Sequence, residues 1–515
     1  MDRGIGSWVT RRAQLDGDRV ALLDGGREQT FGEFDRRSTR VGRALLDLGV
    51  RRGDRVAVLA LNSAAFMETV FGCAKLGAIV VPVNYRLAPP EVGYILADSG
   101  ADVLVCHRSL AELGRRARRQ PGVRVRHTLV VDGGDGPETG ELSYEEVVSA
   151  ASDLPLDMDV QPADVHGIMY TSGTTGRPKG AMLTHGNAQA NARNALLQGR
   201  GLRAEDVTVT VAPMFHIGGL GVHSLPFVYV GARNVILAAF DPKETLQAMA
   251  DQRATVQFLV PAMWAALMRV PDFDSYDLSA LKMAVSGGAP TPLPVIEFFQ
   301  ARGVTFQEGF GMTETAPSVS LLDAEHIRSK AGSIGRPLLH VETRIVDSDD
   351  RDLPVGEVGE LLVRGDNVFA GYWMLPGPTA DAFRGGWFHT GDLGRVDGDG
   401  FITLVDRKKD MIISGGENVY PIEVEQVLVR HPAVREVAVF GVPDERWGET
   451  VVAAVATDAG TTSEELIGYC RERLAHFKCP TRVEFVAELP RNATGKVLKR
   501  DLRQTYGGIA GAVSR

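Results

Sequence analysis

The stretch YTSGTTGRPKG, from Tyr170 to Gly180, gathers hydroxyl groups, glycines and two cations into one short segment. Glycines let backbone N–H groups approach phosphate oxygens, hydroxyl side chains add donors, and Lys179 adds a compact positive charge. The apolar run VHGIMYT, which predicts a strand, leads into the segment. A loop that follows a strand is the usual place for phosphate binding in an open α/β sheet. The sequence therefore predicts a phosphate-binding loop.

A Walker A loop and an ordinary surface turn are the alternatives to this interpretation. A Walker A loop, G-x-x-x-x-G-K-[ST], started at Gly173 would need a glycine where Pro178 stands, so that motif is excluded. An ordinary surface turn remains the plainer alternative, but the preceding apolar strand favours phosphate binding.

Four further segments carry polar residues at close spacing: GFGMTET from Gly309, GWFHTGDLG from Gly386, DRKKDMIISGGENVYPIEVE from Asp406 and PRNATGKVLKR from Pro490. Together with the phosphate loop, they stand in the order and spacing of the adenylate-forming enzymes. That family includes acyl- and aryl-CoA synthetases, firefly luciferase and the adenylation domains of peptide synthetases. The chain resembles the family over nearly its whole length. The resemblance implies that ATP and a carboxylate form an acyl-adenylate and pyrophosphate, after which a thiolate displaces AMP.

The resemblance also implies a nucleotide site. The backbone around Gly287 to Ala289 would approach the adenine base, and Phe310, where the family usually has tyrosine, would stack on it. Asp392 and Arg407 would hold the ribose hydroxyls. The full set assigned to ATP and AMP is Thr171, Ser172, Gly173, Thr174, Thr175, Gly176, Lys179, Gly288, Ala289, Phe310, Gly311, Asp392 and Arg407.

The catalytic residues implied by the resemblance are Thr313, Glu314, Lys409 and Lys496. Glu314 would bind Mg²⁺, which prefers few carboxylates together with phosphate oxygens. Lys496 would stabilise the charge that builds up as the carboxylate attacks the α-phosphate. Lys409 would be a hinge. Rotation about it would move Lys496 out of the active site after adenylation and bring the segment SGGENVYP into it. There, Gly415 and Gly416 would pass close to the pantetheine arm of CoA.

An acyl-substrate pocket is implied at His216, Gly287, Gly309 and Met312. Relatives that activate amino acids have Asp at the position of His216, where it binds the α-ammonium group. Relatives that activate malonate have Arg at the position of Gly309, where it binds the second carboxylate. A monocarboxylic acid with an apolar body therefore fits better, with fatty acids first and aryl or cinnamate-type acids a close second. CoA is the favoured acceptor, while a carrier-protein thiol, an amine or another nucleophile stays open.

Each assignment has a plainer alternative. His216 and Phe310 could be ordinary core residues, Asp392 and Glu314 solvated charges, and Lys496 a surface lysine beside Lys499. A non-catalytic nucleotide-binding relative is a further alternative. Such a protein would be expected to have lost Lys496, Glu314 or Asp392, and this chain keeps all three.

The candidate site residues must be positioned by predicted strands, seen as short apolar runs, that alternate with predicted helices. RVAVLAL, AIVVPV, DVLVCH, LKMAVSG and VTFQEG predict nearly continuous apolar strands, which indicates parallel sheets covered by helices on both faces. From about Val341, half-polar strands split by turns predict a small β-rich subdomain. We predict an α/β N-terminal adenylation domain over 1–405 with two parallel-type subdomains, a hinge over 406–410, and a mobile α+β C-terminal domain over 411–515. Ser463 is the predicted cap of a helix in that last domain.

Composition narrows the class further. The chain has 515 residues and a net charge of −9, which disfavours a bulk-basic nucleic-acid binder. Four cysteines lack the spacing of a metal site, which indicates reduced thiols in a cytoplasmic protein. No apolar run reaches the length of a membrane span. A homodimer is an option that the sequence leaves open.

Overall fold

The computed structural model describes residues 3–131, 138–171, 178–407, 410–414, 417–444, 448–458, 460–491 and 497–507. The chain divides into two units, one made of residues 1–343 and 363–388 and the other of residues 344–362 and 389–515. The boundary predicted over 406–410 stays a prediction.

The α-helices of the described chain are α1 Gly6–Asp16, α2 Phe31–Asp47, α3 Ala64–Leu76, α4 Pro89–Ser99, α5 Ala111–Arg118, α6 Tyr144–Ala150, α7 His185–Leu196, α8 Ile217–Gly219, α9 Leu225–Val230, α10 Pro242–Asp251, α11 Pro261–Met268, α12 Leu293–Gln300, α13 Pro376–Ala382, α14 Pro421–Leu428, α15 Ser463–Arg471 and α16 Lys499–Tyr506.

The strands are β1 Val20–Asp24, β2 Arg27–Thr30, β3 Arg55–Leu59, β4 Ile79–Pro82, β5 Val103–His107, β6 His127–Val131, β7 Leu142–Ser143, β8 Val165–Thr171, β9 Lys179–Thr184, β10 Val207–Thr210, β11 Arg233–Ile236, β12 Val256–Leu259, β13 Met283–Gly287, β14 Thr305–Gly311, β15 Ser318–Leu322, β16 Arg336–Pro337, β17 Glu342–Val346, β18 Gly359–Arg364, β19 Phe388–Val396, β20 Ile402–Arg407, β21 Ile412–Ser414, β22 Glu417–Val419, β23 Val434–Asp444, β24 Gly448–Thr457 and β25 Arg482–Phe485.

The first unit is built on three sheets. Their strand orders are β7-β6-β5-β3-β4-β8-β9, β10-β11-β1-β2 and β12-β13-β14-β15-β16. The central pairs are parallel, as in β3 with β4 and β13 with β14, whereas β9 pairs antiparallel with β8 and β15 pairs antiparallel with β14. The predicted α/β class with a large first and a small last domain is confirmed.

Apolar runs explain the core of the seven-stranded sheet. Val56–Leu59 of β3 are fully buried, as expected for a strand covered on both faces. Helix α3 packs nearly all its side chains inside and begins where Ser63 accepts a hydrogen bond from the Phe66 N–H at 3.2 Å. The local sequence therefore sets both the strand and the helix that covers it.

The second unit contains sheets with strand orders β17-β18-β19-β20 and β22-β21-β24-β23, and β25 pairs with β24. The first of these sheets confirms the half-polar strands predicted after Val341. The predicted cap Ser463 is wrong, because Thr462 is the capping residue and accepts from the Glu465 N–H at 3.2 Å. Thr462 has extended backbone angles, whereas Ser463 is already helical.

The four cysteines, Cys73, Cys106, Cys470 and Cys479, are all buried and unbridged. Burial raises the pKa of each thiol, to about 12 for Cys106 and for Cys470. They are therefore protonated near neutral pH. In the part of the chain that the structure describes, no helix is long and apolar enough to cross a membrane.

Two buried histidines make the first unit sensitive to acid. His166 and His185 lie with ring centroids 5.5 Å apart, and burial lowers the pKa of His166 to about 4 and that of His185 below its ordinary value. Unfolding exposes both rings to water, so the unfolded chain binds more protons below pH 6.5. Stability should therefore fall as the pH falls from about 6.5 to about 4, by about 1.4 kcal/mol per pH unit for each such histidine.

We expect that in His166→Gln the free energy of unfolding falls about 3 kcal/mol less than in the wild type between pH 6.5 and 4. His340→Gln is the matched control, because His340 is exposed. Urea unfolding of the full chain at several pH values measures the slope. A His166→Gln variant with the wild-type pH dependence would contradict the assignment.

Candidate active site

The two ends of the predicted phosphate loop are held together by the β8–β9 hairpin. Thr171 is paired with Lys179, and Tyr170 is paired with Gly180. The predicted phosphate ligands Ser172, Gly173, Thr174, Thr175 and Gly176 lie between these ends and outside the described residues. The structure therefore places the two ends of the predicted loop, Thr171 and Lys179, opposite each other on adjacent strands.

Residues 366–373, which we name the strap, run beside strand β9. Trp373 N–H donates to Gly180 O at 2.7 Å, and Ala370 N–H donates to Met182 O at 2.9 Å. Further along, Phe369 N–H donates to the backbone oxygen of Glu314 at 2.9 Å. The strap thus connects the lysine end of the phosphate loop with the segment that contains the predicted metal ligand.

Tyr372 of the strap contacts both charged residues. Its hydroxyl donates to Glu314 Oε1 at 3.0 Å, and Lys179 Nζ lies 5.0 Å from the centroid of its ring. A cation over an aromatic face is stabilised by the ring quadrupole. The structure therefore brings Lys179 and Glu314, which are far apart in sequence, to one side chain.

The surroundings of Glu314 fit a magnesium ligand. Its carboxylate is half-buried, and one oxygen is fixed by the tyrosine hydroxyl, so the other can face an ion. Thr313 beside it is buried. One carboxylate with phosphate oxygens is a typical donor set for Mg²⁺. Glu314 would hold the ion. When bound, the ion's positive charge would offset the negative charge of the phosphate groups.

The residues predicted around adenine lie on two adjacent parallel strands. Gly287 at the end of β13 is in register with Gly309 of β14. A side chain at Gly287 would place its Cβ 2.9 Å from Gly309 O, and Gly288 has φ +89°. Both positions therefore require glycine. Ala289 follows in the same turn, and Phe310 is half-buried.

The segment after Phe310 is closely packed. A Cβ at Gly311 would lie 1.8 Å from Pro317 O, and Met312 N–H donates to that oxygen at 2.9 Å. Met312 is half-buried. This packing fixes the backbone immediately before Thr313 and Glu314.

Glu308, a buried carboxyl next to these residues, was not among the predicted site residues. Its Oε2 accepts from the Thr291 N–H at 3.2 Å, and Thr291 Oγ1 is 2.7 Å from Ser286 Oγ. Burial raises the pKa of Glu308 to about 7, although the hydrogen bonds from Thr291 oppose the shift. Glu308 thereby links β14 to the turn that follows β13.

Gly287, one of the predicted acyl-pocket residues, lies against Phe258, and so does Gly218, which follows His216 by two positions. A Cβ on Gly218 would lie 3.6 Å from the Phe258 ring, and a Cβ on Gly287 would lie 3.6 Å from the same ring. His216 Nδ1 accepts from the Gly218 N–H at 3.1 Å. Neutral His216 therefore carries its proton on Nε2.

His216 is not a core residue. Its ring is accessible to solvent, yet partial desolvation by the surrounding protein lowers its pKa. Beside it, Phe215 packs against Tyr85 with ring centroids 5.1 Å apart.

The predicted ribose residues belong to the second unit. Asp392 is buried, and its backbone N–H donates to Thr390 Oγ1 at 3.0 Å. Asp392 on β19 is in register with Arg407 on β20. The structure therefore brings the two predicted ribose residues together on adjacent strands. Lys409, Gly415, Gly416 and Lys496 lie outside the described residues, so their roles stay predictions.

Tyr372 and Glu308 were missed for different reasons. Tyr372 is separated from Glu314 by 58 positions, so its contact depends on the strap. The local sequence GYW from Gly371 is aromatic but belongs to none of the five family segments. Glu308 directly precedes GFGMTET, and a carboxyl at the end of an otherwise apolar strand was the available signal.

We expect Tyr372→Phe to raise the KM for Mg·ATP about tenfold, because a hydrogen bond to a charged group contributes about 1.5–3 kcal/mol. The ring over Lys179 is kept, so the fold should be unchanged. Tyr229→Phe, which removes a hydroxyl elsewhere in the first unit, is the control. Pyrophosphate release at varied Mg·ATP measures the effect, and an unchanged KM would remove Tyr372 from the site.

The site geometry and the fold define a nucleotide-dependent α/β enzyme, and comparisons with known proteins give its family. The AMP-binding enzyme family matches residues 9–373, and the AMP-binding enzyme C-terminal domain matches residues 423–496. The chain belongs to this family. Its enzyme class is that of the AMP-forming acid–thiol ligases, as the sequence predicts.

Three relatives illustrate the similarity. Feruloyl-CoA synthase of Amycolatopsis sp is 43% identical over 98% of this chain and 100% of its own length. A long-chain-fatty-acid–CoA ligase of Mycobacterium tuberculosis is 36% identical over 98% of this chain and 99% of its own. The structure of o-succinylbenzoate CoA synthetase from Bacillus subtilis with its acyl-adenylate intermediate matches with a TM-score of 0.86 and 33% identity, covering 96% of this chain and 97% of that chain.

Proposed function

We propose that this acid–thiol ligase activates an aromatic monocarboxylic acid with ATP and transfers the acyl group to CoA. The predicted ATP, Mg²⁺ and CoA are those of its class. The sequence alone favours a fatty acid over an aryl acid, and the pocket residues lead us to reverse that order.

The reaction has two displacements. A carboxylate oxygen of the acid attacks the α-phosphorus of ATP, the bond to the β-phosphate bridging oxygen breaks, and pyrophosphate leaves. The thiolate sulfur of CoA then attacks the acyl carbon, and AMP leaves with the electrons of the broken C–O bond. Lys179 and Glu314 would position the phosphate groups in the first displacement, and Tyr372 would keep Glu314 oriented. Asp392 would hold the ribose hydroxyls.

The aromatic ring of Phe258, beside Gly218 and Gly287, is the observation that favours an aromatic acid. Phe258 lies against both Gly218 and Gly287, so two positions without side chains border one ring. An aromatic ring beside two residues without side chains suits a planar acyl group, because offset or edge-on ring contacts are favourable. The relative named feruloyl-CoA synthase, which handles an aromatic acyl group, supports the same choice.

A long-chain fatty acid is the second candidate. It is supported by the similarity to the long-chain-fatty-acid–CoA ligase over nearly the full chain. An acceptor other than CoA also stays open, because the first displacement is the same for every acceptor.

The test is a pyrophosphate-release screen over ferulic, cinnamic, benzoic, octanoic and palmitic acids, each with and without CoA, with products identified by mass spectrometry. We expect kcat/KM to be at least about tenfold higher for the best aryl acid than for either fatty acid, a difference of about 1.4 kcal/mol. A fatty acid as the best substrate would reverse the choice. Pyrophosphate release without acyl-CoA formation would indicate another acceptor.

A pocket variant separates the acid from the nucleotide. Gly218→Leu would fill the space against Phe258 and His216, so kcat/KM for the acid should fall while the KM for ATP stays unchanged. Gly377→Leu is the control, because nothing lies within 4 Å of a Cβ built there. Equal effects of the two variants on acid turnover would exclude Gly218 from the pocket.

A further inference from the structure

An open cavity of about 790 Å³ lies in the first unit at the amino ends of several strands. Arg233 begins β11, while Thr255 and Lys282 directly precede β12 and β13. The turn at Gly288 follows the opposite, carboxyl end of β13, and a five-residue strand spans about 17 Å. The cavity is therefore separate from the candidate active site.

The two sheets that meet at the cavity are tied together at its floor. Val207 N–H donates to Thr255 Oγ1 at 3.0 Å, and Thr255 N–H donates to Val207 O at 2.9 Å. Two residues further on, the Gln257 side chain bonds both backbone groups of Val209, at 3.0 and 2.7 Å. Strands β10 and β12 therefore run in the same direction, and their amino ends form one rigid rim.

Asp206 anchors this rim and has its charge compensated. It is buried, its Oδ1 contacts the guanidinium of Arg200, and its Oδ2 accepts from the Arg203 N–H at 2.8 Å. The Thr255 hydroxyl donates to Oδ1 at 2.7 Å. Asp206 is thus a structural carboxylate that does not cancel the other cations of the cavity.

Two of those cations are only loosely paired. Arg203 Nη1 is 3.9 Å from Glu205, Arg253 Nη1 is 3.8 Å from Asp277, and all four side chains are more than 60% exposed. Pairs this wide and exposed contribute little and are readily exchanged for another anion.

The remaining cations donate to neutral groups in the described contacts. Arg233 Nη2 donates to Gln252 O at 3.0 Å, and Lys282 Nζ donates to Ser279 O at 2.8 Å. Asp251, the third carboxylate of the lining beside Asp206 and Glu205, accepts from the Gln247 side chain at 2.7 Å. The lining therefore holds five cations and three carboxylates, a net charge of +2 in a chain of net charge −9.

Arg253 adds a conformational observation. It follows helix α10 with φ +50°, a left-handed conformation in which glycine or asparagine normally ends a helix. A cation at the C-terminal end of a helix is favoured by the helix dipole, and Arg253 also lines the cavity.

We propose that this cavity binds a compact anion carrying at least two phosphate groups. Arginine forks match phosphate oxygens in bidentate geometry, and cations spaced around a concavity suit several phosphates better than one carboxylate. The volume lies within the range of small-molecule sites. The proposal does not depend on the acid chosen above.

Isothermal titration of the full chain with inorganic tripolyphosphate tests the proposal. The candidate active site also offers phosphate contacts through Lys179, so the wild type should show two binding events, of which Lys179→Ala removes one. Arg203→Ala/Arg253→Ala should weaken the other event at least about 100-fold and leave the KM for ATP unchanged. Arg36→Ala/Arg124→Ala, which removes two exposed arginines elsewhere in the first unit, is the matched control.

Lys282→Ala alone should weaken the same event about tenfold, which guards against misfolding of the double variant. The proposal is overturned by a single wild-type event that Lys179→Ala abolishes. It is equally overturned if the cavity variants and the control variant bind tripolyphosphate alike.

Discussion

Lys496→Ala should lower the rate of acyl-adenylate formation about 10²–10³-fold, the usual effect of removing one donor that stabilises transition-state charge. The reason is electrostatic. Attack by a carboxylate on the α-phosphate brings two anions together, and a fixed ammonium near both lowers the barrier. The second displacement begins from a neutral acyl carbon and does not bring together the same charges. Thiolysis of supplied acyl-AMP by CoA should therefore stay near the wild-type rate.

Lys499→Ala is the matched control for this experiment. Lys499 is three positions away, and its Nζ lies 2.8 Å from Glu425 Oε1, so its charge serves an ion pair within the second unit. Pyrophosphate release measures the first displacement, and acyl-CoA formation from synthetic acyl-AMP measures the second. Equal loss of both rates in Lys496→Ala would remove the role given to this residue. So would a comparable loss of adenylation in Lys499→Ala.

Glu314→Gln should lower adenylation about 100-fold and move the Mg²⁺ dependence to higher concentration. The amide keeps the shape of the side chain and can still accept from the Tyr372 hydroxyl, so the strap should stay in place. What is lost is the negative charge that would hold the ion beside the phosphates. The effect should exceed that of Tyr372→Phe, which leaves the charge intact.

Pyrophosphate release over a range of Mg²⁺ concentrations at fixed ATP distinguishes a lost metal ligand from a general defect. Glu297→Gln is the control, because Glu297 is exposed on helix α12. If Glu314→Gln had the wild-type magnesium dependence, Glu314 would not be the ligand, whatever its effect on kcat.

The strands near the site were predictable because their local pattern agrees with their surroundings. VHGIMYT, for example, is strand β8 over the residues predicted. The helix cap was misplaced by one residue because Thr462 and Ser463 are both good caps, and only backbone angles decide between them. An apolar pattern predicts a buried parallel sheet but does not show which edge strand runs in the opposite direction. The antiparallel pairing of β9 with β8, which closes the phosphate loop, had to come from the structure.

The site itself was predictable where a motif contains the whole arrangement and not where distant segments meet. Asp392 and Arg407 were predicted from separate motifs, and their pairing across β19 and β20 is a matter of sheet register. Tyr372 had no motif to mark it, because its role arises from a strap that joins strand β9 to Glu314. The cavity cations likewise stand apart in sequence, and only parallel strands with a common edge bring them together.

The four inaccessible thiols have a consequence for an enzyme that generates an activated acyl group. A mixed anhydride reacts with any thiolate that reaches it, and the thiolate is the reactive form of cysteine. Because every cysteine of the chain is inside the protein and protonated, the enzyme offers no sulfur of its own for self-acylation. The acyl group is preserved for the acceptor, and consumption of free CoA can be followed with a thiol-reactive dye without background from the folded protein.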